Sequence, residues 1–125
     1  MQRKSARDDG AAAVEFALIM PVLFGLMFAI IQFGWLFQAW TAMEGGARAG
    51  ARYMAVHNDV AGAKQAALAD MPSLGLTASA VTITPSACSS GQTVTASITY
   101  TSIMPNLIPG VPSTLTRTGK MECGG

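Results

Sequence analysis

Charged side chains are scarce in this sequence and absent from one long internal stretch. Lys, Arg, Asp and Glu make up 12% of its 125 residues, whereas a soluble domain usually has about 25%. The formal net charge is +1, so there is no broad basic field that would attract nucleic acid. From Phe16 to Met43 no residue is charged. These absences point away from a nucleic-acid-binding protein and from an ordinary soluble domain.

Residues that carry catalytic or metal-binding chemistry are equally few. The sequence has one histidine, His57, and no nucleophile and base are placed near it in a pattern typical of catalysis. The acids beyond the apolar stretch are scattered: Glu44, Asp59, Asp70 and Glu122. We therefore expect no enzyme activity, no cofactor, no metal site and no small-molecule substrate.

The charge-free stretch has the length of a membrane-spanning helix. A bilayer core needs about 20 mostly apolar residues in a helix, and such a count from Phe16 ends at Trp35. Aromatic residues, which favour the membrane–water interface, gather around that point: Phe33, Trp35, Phe37 and Trp40. The sequence predicts a span of about residues 16–38.

A buried core helix and a cleavable secretory signal are the two alternatives to a membrane span. A buried core helix would need a larger partner domain than the rest of this chain provides. A cleavable signal has an apolar core of only about 7–15 residues followed by small residues, and Gly45–Ala51 would supply the small residues. The length of the apolar stretch favours the membrane span over both.

The positive charges favour an orientation with the N-terminus in the cytoplasm. Arg3, Lys4 and Arg7 precede the span, and cytoplasmic flanks are enriched in Lys and Arg. Arg48 and Arg52 follow the span and weaken this bias. We expect the C-terminal part to be extracytoplasmic.

Glu15 and Pro21 are unusual at the start of an apolar helix. A carboxylate at the membrane boundary is costly unless it is solvated or paired, so Glu15 either reaches back to the interface or meets a cation. Cleavage after Gly10 would make Ala11 the N-terminus and Glu15 the fifth residue, with a cationic amine one helical turn away. Pro21 removes a backbone hydrogen bond and predicts a kink.

The segment from Gly10 to Pro21 resembles a type IV prepilin processing site. Its sequence is Gly10-Ala-Ala-Ala-Val-Glu15-Phe16-Ala-Leu-Ile-Met-Pro21. It resembles most closely the TadE-like minor pilins, or pseudopilins, of tight-adherence (Flp-type, type IVb-like) pilus systems. A second segment, Arg48-Ala49-Gly50-Ala51-Arg52, resembles that family's Arg-x-Gly-Ala-Arg pattern, although the family often has Glu where this chain has Ala49.

The resemblance implies cleavage by a prepilin peptidase after Gly10, at a site that includes Ala11, Glu15 and Phe16. It also implies that Glu15 pairs with the N-terminal amine of a neighbouring subunit during assembly. The implied partners are the prepilin peptidase, other pilins or pseudopilins, the inner-membrane pilus platform and the lipid bilayer. The implied location is the bacterial inner membrane, with the choice between fibre and basal machinery left open.

The helix is predicted to continue beyond the membrane to His57. Glu44, Arg48 and Arg52 follow one another at spacing four, which favours weak ion pairing on one face. Gly46 and Gly50 form a small-residue stripe of the kind that lets helices approach closely. These glycines predict either packing, against a partner or against the chain's own sheet, or a flexible joint.

The remainder predicts a small α+β domain. Val60–Met71 favours a second helix, and residues 76–84, 93–101 and 113–123 favour three strands of an antiparallel sheet packed on the helix. The proline-rich loop between the last two, residues 103–112, could cover the sheet, touch the membrane or touch a partner.

Cys88 and Cys123 are the only cysteines. They are too few for a structural zinc site. On the oxidising side of a membrane they would pair, whereas in the cytoplasm free thiols would be the default. An extracytoplasmic tail therefore predicts a disulfide.

Together these features predict four regions: a leader at 1–10, a transmembrane and stalk helix at 11–57, a short helix at 58–72 and a β-rich domain at 73–125. The resemblance to TadE-like proteins implies the function of a minor pilin, or pseudopilin, in pilus assembly, adhesion and secretion. The alternative is an unprocessed single-pass membrane anchor whose sheet domain binds an extracytoplasmic partner.

Overall fold

A computed structural model describes the backbone of residues 5–102 and 109–124, with side chains from Gly10 onward. Helix α1 spans Ser5–His57 and helix α2 spans Val60–Ala69. Three strands follow, β1 at Val81–Thr84, β2 at Thr93–Thr101 and β3 at Thr114–Glu122. The predicted α+β class, with a long first helix, a short second helix and three strands, is confirmed.

The chain divides into two compact units, residues 1–36 and residues 37–125. The first, called here the N-terminal unit, consists within its described residues of helix alone. The second, called the C-terminal domain, contains the rest of α1, then α2 and the sheet.

The end of α1 and the start of α2 are set by two adjacent polar residues. Asn58 has a positive φ of 52°, a conformation that terminates helices and that Asn tolerates better than most residues. Asp59 is extended, and its carboxylate accepts hydrogen bonds from the backbone N–H groups of Ala61 and Gly62. This N-cap starts the second helix immediately, so the chain turns within two residues.

The sheet is an antiparallel meander with order β1-β2-β3. Alternation along β2 buries Val94, Ala96, Ile98 and Tyr100 on one face, as expected for a sheet covered on one side. Opposite residues in the register share a face, so Ile98 lies beside Val81 on β1 and beside Arg117 on β3. The covered face of β3 therefore includes a cation.

The core of the C-terminal domain lies between this face, α1 and α2. Its α1 residues recur every three or four positions, and its α2 residues are small or flexible. The buried side chains of the two helices are Ala39, Met43, Ala47, Ala51, Met54, Ala63, Ala67 and, just beyond α2, Met71. This stripe explains why the second half of α1 contains so many small residues, since the sheet and α2 both approach it closely.

The first predicted strand is wrong in its extent. Residues 76–84 were expected to be extended, but Ala78–Ala80 forms a 3-10 turn and only Val81–Thr84 pairs with β2. The Thr77 and Ser79 hydroxyls lie 2.8 Å apart, and the N–H of Ala80 donates to the carbonyl of Thr77. Local hydrogen bonds of short polar side chains compete with strand pairing, which shortens the strand.

Two of the sequence expectations lie outside the described residues. These are the first part of the predicted leader, residues 1–4, and the centre of the proline-rich loop, residues 103–108 with Leu107 and Ile108.

Candidate functional site

The predicted processing residues lie on the exposed surface of one continuous helical segment. Gly10, Ala11, Glu15 and Phe16 all belong to α1 and are exposed. Ala11 and Glu15 are four residues apart, which is a rise of about 6 Å along one face. Within the part of the chain that the structure describes, Glu15 has no ion-pair partner. A cation supplied at Ala11, or by another chain, would find this carboxylate accessible.

Within the described part of the chain, no contact requires glycine at position 10. A Cβ built there meets nothing within 4 Å, and the same holds for Gly25 and Gly34 in the same helix. Glycine inside a helix costs about 0.5–1 kcal/mol relative to Ala. Gly10 is distinguished from the other two by its place between the charged N-terminal residues and the apolar stretch.

The apolar side chains of the N-terminal unit are exposed along its length. Leu18 is 70% exposed, and Val22, one residue after Pro21, is 71% exposed. The helix is long and apolar enough to cross a membrane, and no residue of its most apolar window is buried. Pro21 lies inside the helix without interrupting it. Such a surface needs an apolar environment, either lipid or other helices.

Gly46 and Gly50 lie inside the C-terminal domain, against α2. A Cβ on Gly46 would lie 2.8 Å from the carbonyl oxygen of Ala67, and one on Gly50 would lie 3.0 Å from the Cβ of Ala67. Both glycines are therefore occupied by packing within the chain, through the close helix approach that their spacing predicts. They are not exposed for contact with another chain.

Arg48 and Arg52, the two cations of the second resembling segment, are exposed on α1. Arg48 forms an ion pair with Glu44, one turn earlier. Arg52 makes no ion pair within the described residues and borders a shallow apolar surface with Val56 and Met121. An exposed ion pair of this kind contributes little to stability, so both arginines are available for contacts outside the chain.

A disulfide joins Cys88 and Cys123, whose Cα atoms are 5.6 Å apart. The same loop is tied to the end of α1, because the N–H of Cys88 donates a 2.6 Å hydrogen bond to the side-chain oxygen of Asn58. The loop between β1 and β2 is thus attached at one point to α1 and at another to the residue after β3. Oxidised cysteines are typical of an extracytoplasmic location.

Two contacts were missed by sequence reasoning. Gly119 on β3 faces α1 so closely that a Cβ there would lie 2.5 Å from the backbone of Ala47. The Arg117 guanidinium lies over the ring of Trp40, with 3.8 Å between its Cζ atom and the ring centroid. A glycine inside a strand often marks a close backbone approach, so the contact of Gly119 with α1 could have been expected from the sequence. The contact of Arg117 with Trp40 has no such signal in the sequence.

His57 is engaged locally. Its ring stacks on that of Tyr53, with 4.2 Å between centroids, and its Nδ1 lies 3.3 Å from the Tyr53 carbonyl oxygen. Among the described residues no group of three His, Cys, Asp or Glu side chains could hold a metal ion.

A comparison with known protein families supports the resemblance seen in the sequence. Residues 10–52 match the family model for TadE-like proteins. No curated protein and no solved structure matches the chain. The matched segment begins at Gly10, contains Glu15, Pro21, Gly46 and Arg48, and ends at Arg52, before α2 and the sheet. The resemblance to TadE-like proteins that the sequence predicted is therefore confirmed over residues 10–52.

Proposed function

We propose that the protein is a minor pilin, or pseudopilin, of a tight-adherence pilus assembly and secretion apparatus. A prepilin peptidase removes residues 1–10 by cutting after Gly10. Residues 11–57 then anchor the chain in the inner membrane with a span of about 16–38, and residues 58–72 and 73–125 form the extracytoplasmic part. The protein acts through helix-to-helix contacts with other pilins and with the membrane platform, and it catalyses no reaction.

The observation that carries this proposal is the form of the matched segment. Its part in the N-terminal unit, residues 10–36, is a largely exposed apolar helix with a single acid, Glu15, five residues after Gly10. A helix that served only as an anchor would gain nothing from a carboxylate at that depth, because an unpaired charge in the membrane is costly. Cleavage supplies the missing cation at Ala11, so the two features account for each other.

The pairing would act between chains as well as within one. In a single chain the Ala11 amine and Glu15 are one helical turn apart. Between chains, a pair formed by the Ala11 amine of one subunit and Glu15 of the next would set the axial position of one helix relative to the other. In a low-dielectric environment a paired charge is strongly preferred to two separated ones. Glu15 therefore specifies a register between neighbouring helices, with the surrounding apolar residues supplying the contact area.

The disulfide supports the proposed orientation. Cys88 and Cys123 are joined in the C-terminal domain, and such bonds persist on the oxidising side of the membrane. Together with the cations before the span, this favours a cytoplasmic N-terminus, which is also where the proposed leader would be cut.

The proposal is tested by the dependence of cleavage on Gly10. The full chain is expressed in cells with an active prepilin peptidase, and its N-terminus is determined as wild type, Gly10→Leu and Gly25→Leu. Gly25 is the matched control, since a Cβ atom at either position meets nothing within 4 Å among the described residues. We expect a chain that starts at Ala11 for wild type and Gly25→Leu, and an uncut chain for Gly10→Leu.

Equal processing of Gly10→Leu and wild type would contradict cleavage at this position. An uncut wild-type chain in the same cells would favour the alternative, a membrane-anchored binding module. A Glu15→Gln variant separates processing from assembly: we expect it to be cut normally and to lose its co-purification with other pilins.

A further inference from the structure

The one cation on the covered face of the sheet lies over an aromatic residue near the membrane boundary. Trp40 is 45% exposed and stands near the end of the charge-free stretch, three residues before Met43. Phe37, one turn earlier, is 64% exposed. Tryptophan favours the headgroup region of a bilayer because its ring is apolar and its N–H is polar. These two residues therefore mark the depth at which α1 leaves the membrane.

Arg117 is brought to this depth by the register of the sheet. It pairs with Ile98 on the covered face, and two residues further along β3, Gly119 contacts α1 at Ala47. Arg117 consequently meets α1 about two turns before Ala47, at Trp40, with its guanidinium 3.8 Å from the ring centroid. The position of Arg117 over Trp40 therefore follows from the register of β3.

The Arg117 side chain has no acidic partner within the described residues. The ion pair that forms among them joins Glu44 and Arg48. It is half-buried, and its Nε has no hydrogen-bond partner there. The ring contact fixes one face of the guanidinium and leaves the charge uncompensated. A guanidinium held flat in this way presents paired N–H donors, the geometry that binds a phosphate in bidentate fashion.

We propose that Trp40 and Arg117 form a docking site for the phosphate of an anionic phospholipid in the leaflet on the side of the C-terminal domain. Charge complementarity identifies the occupant: the group at this depth of a bilayer that matches an uncompensated guanidinium is a lipid phosphate. The ring of Trp40 lies beside the glycerol region, and Phe37 contacts the acyl chains. This site goes beyond pilus assembly and rests on the proposed membrane anchoring.

Such a site would fix the C-terminal domain at the membrane surface. Each Lys or Arg near an anionic surface contributes about 1 kcal/mol, which corresponds to about a fivefold change in affinity. An inward-facing charge can instead serve to protect an edge strand from pairing with another chain, and that local role predicts no preference among lipids.

The test measures lipid selectivity at Trp40 in the full chain. Trp35→Phe leaves Trp40 as the only tryptophan of the two in the sequence. The protein is reconstituted into nanodiscs of phosphatidylglycerol and phosphatidylcholine, with bromine labels on one lipid and then on the other. The ratio of fluorescence quenching gives the relative affinity of the two lipids around Trp40.

The Trp35→Phe protein is expected to prefer phosphatidylglycerol, and Arg117→Gln added to it is expected to reduce the preference about fivefold. Lys120→Gln is the matched control, because it removes a cation from an exposed position three residues along the same strand, and it should leave the preference unchanged. Arg117→Lys keeps the charge without the bidentate fork and should give an intermediate value.

Three results would overturn the proposal. The first is a Trp35→Phe protein with no preference, a result that depends on no change at Arg117 and so holds even if Arg117→Gln fails to fold. The second is an equal loss in Arg117→Gln and Lys120→Gln, which would indicate general surface charge. The third is loss of the preference when inorganic phosphate is added, which would indicate a free-anion site. Failure of the chain to enter nanodiscs would instead contradict the membrane anchoring itself.

Discussion

Adjacent glycines on α1 should respond in opposite directions to the same substitution. A Cβ on Gly45 meets nothing within 4 Å, whereas one on Gly46 would lie 2.8 Å from the Ala67 carbonyl oxygen and 2.7 Å from the Sδ atom of Met71. In a helix interior Ala is favoured over Gly by about 1 kcal/mol. Gly45→Ala should therefore stabilise the C-terminal domain by about 0.5–1 kcal/mol.

Gly46→Ala gains the same helix propensity and loses more through overpacking. The Met71 side chain can move, but the Ala67 carbonyl belongs to the α2 backbone, so the two helices must separate. Inserting a group into a well-packed core costs about 1–3 kcal/mol. Because the overlap involves backbone, we take the upper half of that range, about 2–3 kcal/mol. After the gain of about 1 kcal/mol in propensity, the expected net destabilisation is about 1–2 kcal/mol.

The assay is thermal unfolding of the full chain in detergent, followed by near-ultraviolet circular dichroism. Tyr53, Tyr100 and Trp40, three of the four Tyr and Trp residues, lie in the C-terminal domain, so most of the signal reports its packing. For a domain of this size 1 kcal/mol shifts Tm by about 4–8 °C. Gly45→Ala should raise Tm by about 2–8 °C and Gly46→Ala should lower it by about 5–15 °C. Shifts of the same sign in both variants would refute the assignment of Gly46 to the contact with α2.

Three further changes test the links around the turn after α1. Reduction of the disulfide should destabilise the domain by about 4 kcal/mol on the loop-entropy estimate, because Cys88 and Cys123 are separated by 35 residues. Unchanged denaturant unfolding after reduction would contradict this. Asn58→Ala should destabilise the domain by about 1–3 kcal/mol, because it removes the acceptor for the Cys88 N–H and a side chain that tolerates positive φ. Asn58→Gly should destabilise it less, since glycine adopts positive φ freely. The reverse order would be inconsistent with the turn geometry. Asp59→Ala should cost about 1 kcal/mol through loss of the N-cap, while Asp59→Ser should recover most of it in the same unfolding experiment.

The elements that the sequence predicted well are those with a strong local pattern. Helix α1 follows from a long charge-free stretch and ends at His57, directly before Asn58, and β2 has the predicted bounds Thr93–Thr101 because its apolar and polar residues alternate. The first strand failed because Thr77 and Ser79 offered the backbone a local alternative to pairing. Patterns of single residues do not reveal that competition.

The candidate site divides in the same way. Gly10, Glu15 and Pro21 could be proposed as site residues from their order along the chain alone, and all three lie in the segment that matches the family model. The distinct roles of Gly45 and Gly46 could not, because they depend on which side of α1 receives α2. The contact between Trp40 and Arg117 depends on the register of β3 against the helix, which no local pattern encodes.

The central claim is that a new N-terminus is created next to the apolar helix, within reach of Glu15. Intact mass spectrometry of wild-type protein extracted from membranes of cells with a working prepilin peptidase tests it most directly. We predict a chain that begins at Ala11, with Cys88 and Cys123 oxidised in the same molecule. A chain that still carries Met1 or the residues after it, up to Gly10, would contradict the account.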